Sequence, residues 1–295
     1  MEISIRQLSK VYKNGNKALD TIDLTIGSGM FGLLGPNGAG KSTLMQILVT
    51  LLKPTAGQVK IDDLDLFKNR REIRAMTGYL PQNFSTFPKV KAWEFLNYSA
   101  KLAGIEKSKR LEAVDRLLGQ AGLFEVRERF INKLSGGMKR RLGIAQALIG
   151  SPKILIVDEP TTGLDPEERI RFRNILTEMS REERIILLST HIVGDISSTC
   201  SEMAVLVNGT IGFNAPPDQL IEQARGHTFS IQADDTNLEK IKEEYTVIAT
   251  IPSEEGWQVE VVADRLNMSG IEIEPNLEHA YVYFMETIGG EFDDL

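Results

Sequence analysis

The stretch Gly35-Pro36-Asn37-Gly38-Ala39-Gly40-Lys41-Ser42-Thr43 has the spacing G-x-x-x-x-G-K-[ST], and those residue types in that order make a phosphate cradle. Glycines let the backbone wrap its N–H groups around an anion, and a following helix adds positive potential at its N-terminus. Lys41 then reaches the β- and γ-phosphates of a nucleoside triphosphate, and the Ser42 hydroxyl suits the accompanying Mg2+. The flanks fit. Met30-Phe31-Gly32-Leu33-Leu34 reads as an apolar strand, and Leu44, Ile47, Leu48 and Leu51 fall at i, i+3, i+4 and i+7, the stripe of an amphipathic helix. That helix is expected to stop at Lys53-Pro54, because proline lacks the donor and disfavours helical geometry before it.

A second chemical pair, Asp158 and Glu159, ends the apolar run Ile154-Leu155-Ile156-Val157. Such a position is the carboxyl edge of a sheet, where ligands bind in open α/β folds. Asp158 suits the Mg2+ shell, which leaves Glu159 to polarise the water that attacks the γ-phosphate.

The elements that must hold these residues are legible in outline. Short strands are expected at Ile3 to Leu8, Asp20 to Ile26 and Gln58 to Ile61, with Lys13-Asn14-Gly15-Asn16 as a hairpin turn. From about Val90 to Ala121 the spacing is helical twice, through Trp93, Leu96 and Leu102, then through Leu111, Val114, Leu117 and Leu118. An inserted helical subdomain follows, placed at about 83–150. Ile154–Val157 and Ile185-Ile186-Leu187-Leu188 are strands separated by a helix from Pro166 to about Met179, an alternation that gives a parallel sheet. Asp165, Pro166 and Glu168 supply that helix with an N-cap, a first-position proline and a capping-box acid. From Gly226 a fresh α+β set begins: Thr228 to Gln232, a helix near Leu238 to Glu244, Val247 to Ile251, Gln258 to Val262 and a final helix through Leu277 to Met285.

Between the phosphate loop and the acidic strand stands Leu134-Ser135-Gly136-Gly137-Met138, followed by a helix through Leu142, Ala145 and Ile149. It resembles the L-S-G-G-Q signature of ATP-binding cassette (ABC) proteins, with Met138 in place of the usual glutamine. Tyr12, Gln82 in Tyr79-Leu80-Pro81-Gln82, Asp165 in Gly163-Leu164-Asp165 and His191 in Ser189-Thr190-His191 match the family's remaining motifs in their order. Taken one by one, each has a plainer reading: an exposed hairpin aromatic, a loop amide, a helix cap, a structural histidine. The resemblance covers residues 1–220. It implies the P-loop NTPase fold of ABC ATPases, an α/β domain with a helical and an antiparallel β subdomain, followed here by a small C-terminal α+β domain at 226–295. It also implies that ATP and Mg2+ are the cofactors. Tyr12 stacks on adenine, Ser42, Gln82 and Asp158 serve the metal, and Lys41, Gln82, Glu159 and His191 carry hydrolysis. Ser135, Gly136 and Gly137 face the nucleotide of a second cassette in a head-to-tail dimer, most simply a homodimer, and Asp165 communicates across that interface. The loop Asn83 to Lys89, with Phe84 and Phe87, faces the helical subdomain and a separate integral-membrane permease, although packing beneath the subdomain serves these aromatics equally well. The tail Pro275-Asn276-Leu277-Glu278-His279-Ala280-Tyr281-Val282-Tyr283-Phe284 resembles the ending of bacterial export-type subunits, with His279 where that pattern carries an acid.

Composition limits the alternatives. Hydrophobic residues make up 42% and charged ones 25% of the 295, the range of globular proteins, and no apolar window is long enough to span a bilayer. The first residues lack the layout of a secretory signal, and a single cysteine, Cys200, points to a reducing compartment. The expected location is therefore peripheral, on the cytoplasmic face of the cell membrane. Residues 226–295 hold 16 acidic and 3 basic residues, net −13, leaving +6 on residues 1–225. That distribution lacks the basic stripe of a nucleic-acid binder. Two rival readings share the loop: a soluble cassette ATPase working on ribosomes or nucleic acid, and a phosphotransferase. The single uninterrupted cassette argues against the first, and residues 134–138 against the second.

Overall fold

The structure, a computed structural model, describes residues 1–180, 183–254 and 256–292, with side chains as far as Thr287. Its spine is a six-stranded sheet in the order Thr210–Ala215, Glu202–Val207, Gly29–Leu34, Ile185–Thr190, Ile154–Asp158, Thr77–Leu80. Gly29–Leu34 pairs in parallel with Ile185–Thr190 and Glu202–Val207, and Ile154–Asp158 pairs in parallel with both of its neighbours. Every residue of Ile154–Asp158 and of Ile185–Thr190 is buried, as expected of parallel strands covered on both faces.

A second, antiparallel sheet has the order Lys17–Ile26, Ile3–Val11, Ala56–Ile61, Leu64–Asp65. Strand Ile3–Val11 runs past the expected end at Leu8 to meet Lys17 across the hairpin. Its inward residues are Ile3, Ile5 and Leu8, and those of its partner are Leu19, Ile22, Leu24 and Ile26. The alternation slips by one residue in each strand. Gln7 and Thr21, both at positive φ, mark the irregularities that reset the side-chain phase. One apolar core joins these residues to Leu44, Ile47 and Leu48 and to Ile154, Ile156, Ile185 and Leu187 of the parallel sheet. Burying each such side chain contributes about 1.5–3 kcal/mol.

The helix after the phosphate loop spans Lys41–Leu48 and ends well before Pro54. Thr50 takes φ +61, its N–H bonds to Ile47 O at 2.8 Å, and Leu51 N–H bonds to Gln46 O at 2.9 Å. This Schellman closure turns the chain away, so Leu51 is 67% exposed instead of completing the stripe. In the helical insertion, helices Ala92–Leu102 and Lys107–Gln120 bury Leu96, Val114, Leu117 and Leu118, whereas Leu102 and Leu111 stand out from the surface.

Residues Met1–Asn214 and Ala215–Leu295 form two compact units. Helix Pro217–Gln223 thereby groups with the second unit. There an antiparallel sheet in the order Thr246–Ser253, Gly256–Val262, Thr228–Ala233, Ile271–Glu272 accompanies helices Leu238–Glu244 and Leu277–Phe292. Its core gathers Ile231, Ala233, Ile241, Tyr245, Val259 and Val261. His279, buried in the last helix, lies 3.1 Å from Glu260 through Nε2, while its Nδ1 accepts the Asn276 N–H at 3.2 Å.

Candidate functional site

The phosphate loop leaves strand Gly29–Leu34 at the carboxyl edge of the parallel sheet and enters helix Lys41–Leu48. Gly38 (φ +87) and Gly40 (φ +109) take backbone conformations that side chains rarely adopt. At Gly40 a Cβ would also stand 2.4 Å from Ala18 O, so glycine is required twice over. Ala39 is buried, and its carbonyl accepts the Gly209 N–H, which ties the loop to the neighbouring strand turn. Lys41 is 4% exposed, and its Nζ donates to Gly35 O at 2.7 Å and to Pro36 O at 3.0 Å. A third oxygen, Glu159 Oε1, lies 3.4 Å away.

Glu159 is the meeting point. Gln82 Nε2 donates to its Oε2 at 3.0 Å, Thr162 Oγ1 donates at 3.3 Å, and His191 Nδ1 lies 3.2 Å away without hydrogen-bond alignment. The residue is 5% exposed and sits at φ +43, a geometry uncommon for a non-glycine residue and typical of sites whose surroundings hold strain. Its N–H bonds to both the carbonyl and the hydroxyl of Ser189 at 3.1 Å. Ser189 Oγ turns its own proton to Asp158 Oδ1 at 2.5 Å, so one serine orients both acids.

Tyr12, Asn37, Gly38, Gly40, Lys41, Ser42, Thr43, Gln82, Glu159 and His191 line a single cleft of about 560 Å3. The Tyr12 hydroxyl is 3.2 Å from Thr43 Oγ1, and 37% of the residue is exposed. Asp158 is 2% exposed and does not line the cleft. The signature residues and Asp165 lie outside it. Ser135 caps helix Gly136–Ala147 by accepting the Met138 N–H at 3.1 Å, and Asp165 caps helix Pro166–Met179 by accepting the Glu168 N–H at 2.8 Å. Gly136 instead borders an adjoining groove with Gln82, Glu159 and Gly163. Glu168 does not close the expected capping box. Its carboxylate binds the Arg141 guanidinium through two bonds, at 3.0 and 3.2 Å, because a buried cation offers a stronger partner than a backbone N–H. Phe84 packs edge-on against Phe95 at 6.0 Å, and Phe87 meets the same ring at 6.5 Å while staying 58% exposed, so both loop aromatics pack on the helical subdomain and Phe87 also presents surface.

The family model described as ABC transporter matches residues 19–162. The uncharacterized ABC transporter ATP-binding protein YxlF of Bacillus subtilis (strain 168) is 34% identical over 250 residues, 84% of this chain and 82% of YxlF. The chain belongs to the family of ABC transporter ATP-binding proteins. It is therefore an ABC-type ATPase. A match of 250 residues is longer than the first unit and so extends into the second. The methionine import ATP-binding protein MetN 1 of Bacillus thuringiensis subsp. konkukian (strain 97-27) is 38% identical over 218 residues, 71% of this chain and 64% of MetN 1. Among solved structures, the dimeric post-hydrolysis state of the ATP-binding cassette MJ0796 bound to ADP and Pi superimposes with a TM-score of 0.66 at 25% identity, covering 72% of this chain and 98% of that one.

Three residues of this cassette escaped the sequence reading. Asp195, 2% exposed, accepts from the hydroxyls of Thr161 and Thr190, and so ties the segment after Glu159 to the one before His191. Arg140, 9% exposed, donates to backbone carbonyls around Gln82 and Glu159, and Ser189 orients the acidic pair. Burial pushes the Arg140 guanidinium pKa down while Asp158 and Glu159 draw it back, and a guanidinium remains charged throughout. The available signal was the pair Arg140-Arg141 followed directly by Leu142-Gly143-Ile144-Ala145, all six of them buried in the helix.

Proposed function

We propose that this cassette uses ATP hydrolysis to drive solute through a separate integral-membrane permease, in the direction of export, with Glu159 as the general base. The convergence of Lys41, Gln82 and His191 on the Glu159 carboxylate carries the reading. A carboxylate with these neighbours is poised beside the place where Lys41 would hold the β- and γ-phosphates. His191 would steady the γ-phosphate, Tyr12 would stack on adenine, and the backbone N–H groups of Gly38, Gly40 and Lys41 would cradle the β-phosphate. Glu159 then accepts the proton of the attacking water.

The donor set fits Mg2+. Ser42 hydroxyl, Gln82 amide oxygen and Asp158 carboxylate are hard oxygen ligands of the kind that ion takes. Mg2+ would share its shell between these protein oxygens, phosphate oxygens and water. When bound, Mg2+ neutralises charge that develops on the phosphate oxygens.

Because Ser135, Gly137 and Asp165 do not line the cleft that holds Lys41, we assign them to the nucleotide of a second copy, so that ATP binding and dimerisation are one event. The MJ0796 cassette is dimeric in its ADP- and Pi-bound state. Among the described residues no helix is long and apolar enough to cross a membrane, and we assign the solute path to the partner, for which exposed Phe87 on the Gln82 loop offers a contact. Export is favoured by the tail's likeness to export-type subunits.

Affinity capture of the Glu159→Gln variant with ATP and Mg2+ from detergent-solubilised membranes, followed by mass spectrometry, tests the coupling. Recovery of a multi-spanning membrane protein is the expected result. Recovery of ribosomal or DNA-associated proteins alone would overturn it.

A further inference from the structure

Arg140 lies on helix Gly136–Ala147, five residues after the serine that caps it, and its side chain runs inward. A guanidinium has five N–H donors in a fixed plane, and here each has its own backbone carbonyl. Nε donates to Pro160 O at 2.9 Å, Nη1 to Pro81 O at 2.8 Å and Gln82 O at 2.7 Å, and Nη2 to Asp158 O at 2.8 Å and Glu159 O at 2.7 Å. The acceptors belong to two segments only, 81–82 and 158–160. Both are the carboxyl ends of adjacent parallel strands, Thr77–Leu80 and Ile154–Asp158. There the ladder ends, and the carbonyls of these two segments need another donor.

The placement is selective. Gln82 and Glu159 are the residues whose side chains meet in the cleft at 3.0 Å, and one guanidinium holds the carbonyl of each. Glu159 holds φ +43 only while its surroundings determine it, and its carbonyl is fixed by Arg140 as its N–H is fixed by Ser189. The neighbouring Arg141 serves a different task, bonding Ala121 O, Gly122 O and Glu168, none of which lines the cleft.

We infer that Arg140 is a positioning residue for hydrolysis, which sets the relative placement of Gln82 and Glu159 and couples both to the helix that begins with the signature glycines. The inference rests on the reading of Glu159 as the general base. A shift of that helix, through the same five bonds, moves the backbone of both cleft residues. None of the five Arg140 bonds reaches Lys41 or the phosphate loop, so nucleotide affinity is expected to survive their loss.

Arg140→Lys is the informative variant. It keeps charge and length but brings three donors on one nitrogen, so at least two of the five carbonyls lose their partner. In the full chain, steady-state phosphate release is measured against ATP concentration, with fluorescent-nucleotide binding and thermal unfolding in parallel. The expected result is kcat lowered by about 20-fold or more, with KM and nucleotide affinity within about threefold of the parent. Adding Arg140→Lys to Glu159→Gln lowers the residual rate no further, because the arginine acts through the glutamate. Turnover of Arg140→Lys within about twofold of the parent, beside a Glu159→Gln variant that has lost turnover, would overturn the inference while leaving the base in place. Loss of nucleotide affinity together with a melting temperature lower by about 10 °C would show a purely structural staple and also overturn it. A Glu159→Gln variant that still turns over would instead remove the base, and this inference with it.

Discussion

The carboxylate of Glu168 occupies the place where a side chain at Gly137 would begin: a Cβ there would stand 2.4 Å from Glu168 Oε2 and 2.6 Å from its Cγ. A signature glycine is thus explained within one copy of the chain. Its missing side chain lets Glu168 reach Arg141, which is buried and otherwise bonded to the carbonyls of Ala121 and Gly122.

Gly137→Ala tests that relationship. Helix propensity alone would favour alanine by about 1 kcal/mol. The displaced Glu168 side chain reverses the sign, and a net loss of about 1–3 kcal/mol is expected from overpacking. Thermal or denaturant unfolding reads the balance directly, and an alanine variant more stable than its parent would contradict it.

Asp195 joins two segments of the site through buried hydroxyls. Asp195→Ala leaves Thr161 and Thr190 without their shared acceptor, at a cost of about 1–3 kcal/mol. Turnover is expected to fall as well, because Thr190 also accepts the Ile192 N–H at 2.9 Å and so fixes the backbone beside His191. Asp195→Asn, which retains an acceptor, should lose less of both. Equal losses in the two variants, by unfolding and by phosphate release, would contradict this account.

Cys200 is inert by construction. Burial pushes its thiol up to about 11, with the Asp195 charge adding to the shift and a Thr199 hydroxyl contact opposing it. Only the thiolate reacts with alkylating agents. At pH 8 its folded form should therefore label at least about 100-fold more slowly than the same chain in denaturant. Since the folded pKa lies above the ordinary value, the neutral thiol's contribution to stability is complete below about pH 9 and is lost as pH rises toward 11. Labelling monitored by mass spectrometry, with and without denaturant, checks the rate.

Much of this cassette is written locally in its sequence. Phosphate-loop glycines, the apolar run before Asp158 and the N-cap at Asp165 each follow from a few neighbouring residues, and the structure places them on the expected elements. What local reasoning missed depends on partners far along the chain. Glu168 leaves its cap because Arg141 reaches it from 27 residues away, whereas Leu51 leaves its stripe through a local exception, Thr50 taking a left-handed turn usually given to glycine. Arg140 answers to backbone carbonyls up to 59 residues distant, and Asp195 to a threonine 34 residues away. Contacts to carbonyls leave no trace in the types of the residues contacted. The apolar run Leu142-Gly143-Ile144-Ala145 directly after Arg140-Arg141 was the trace in the sequence that these arginines would be satisfied inside, and all six are buried.

Lys41→Ala separates binding from chemistry. Removing the amine that contacts Gly35 O, Pro36 O and Glu159 should weaken ATP affinity by about 10-fold or more, as expected when a charged phosphate contact is lost. Equilibrium titration with a fluorescent ATP analogue measures it, and unchanged affinity would remove Lys41 from the nucleotide site.

The most direct test of the central claim is single-turnover hydrolysis of bound ATP by Glu159→Gln, compared with the parent at equal nucleotide occupancy. The substitution preserves the size of the side chain and an acceptor for Gln82, but it removes the proposed base. The account predicts unchanged ATP binding and a chemical step slowed by about 100-fold or more, the range of general-base catalysis. A chemical step that proceeds at the parental rate would contradict it, and the role of base would pass to another group in the cleft.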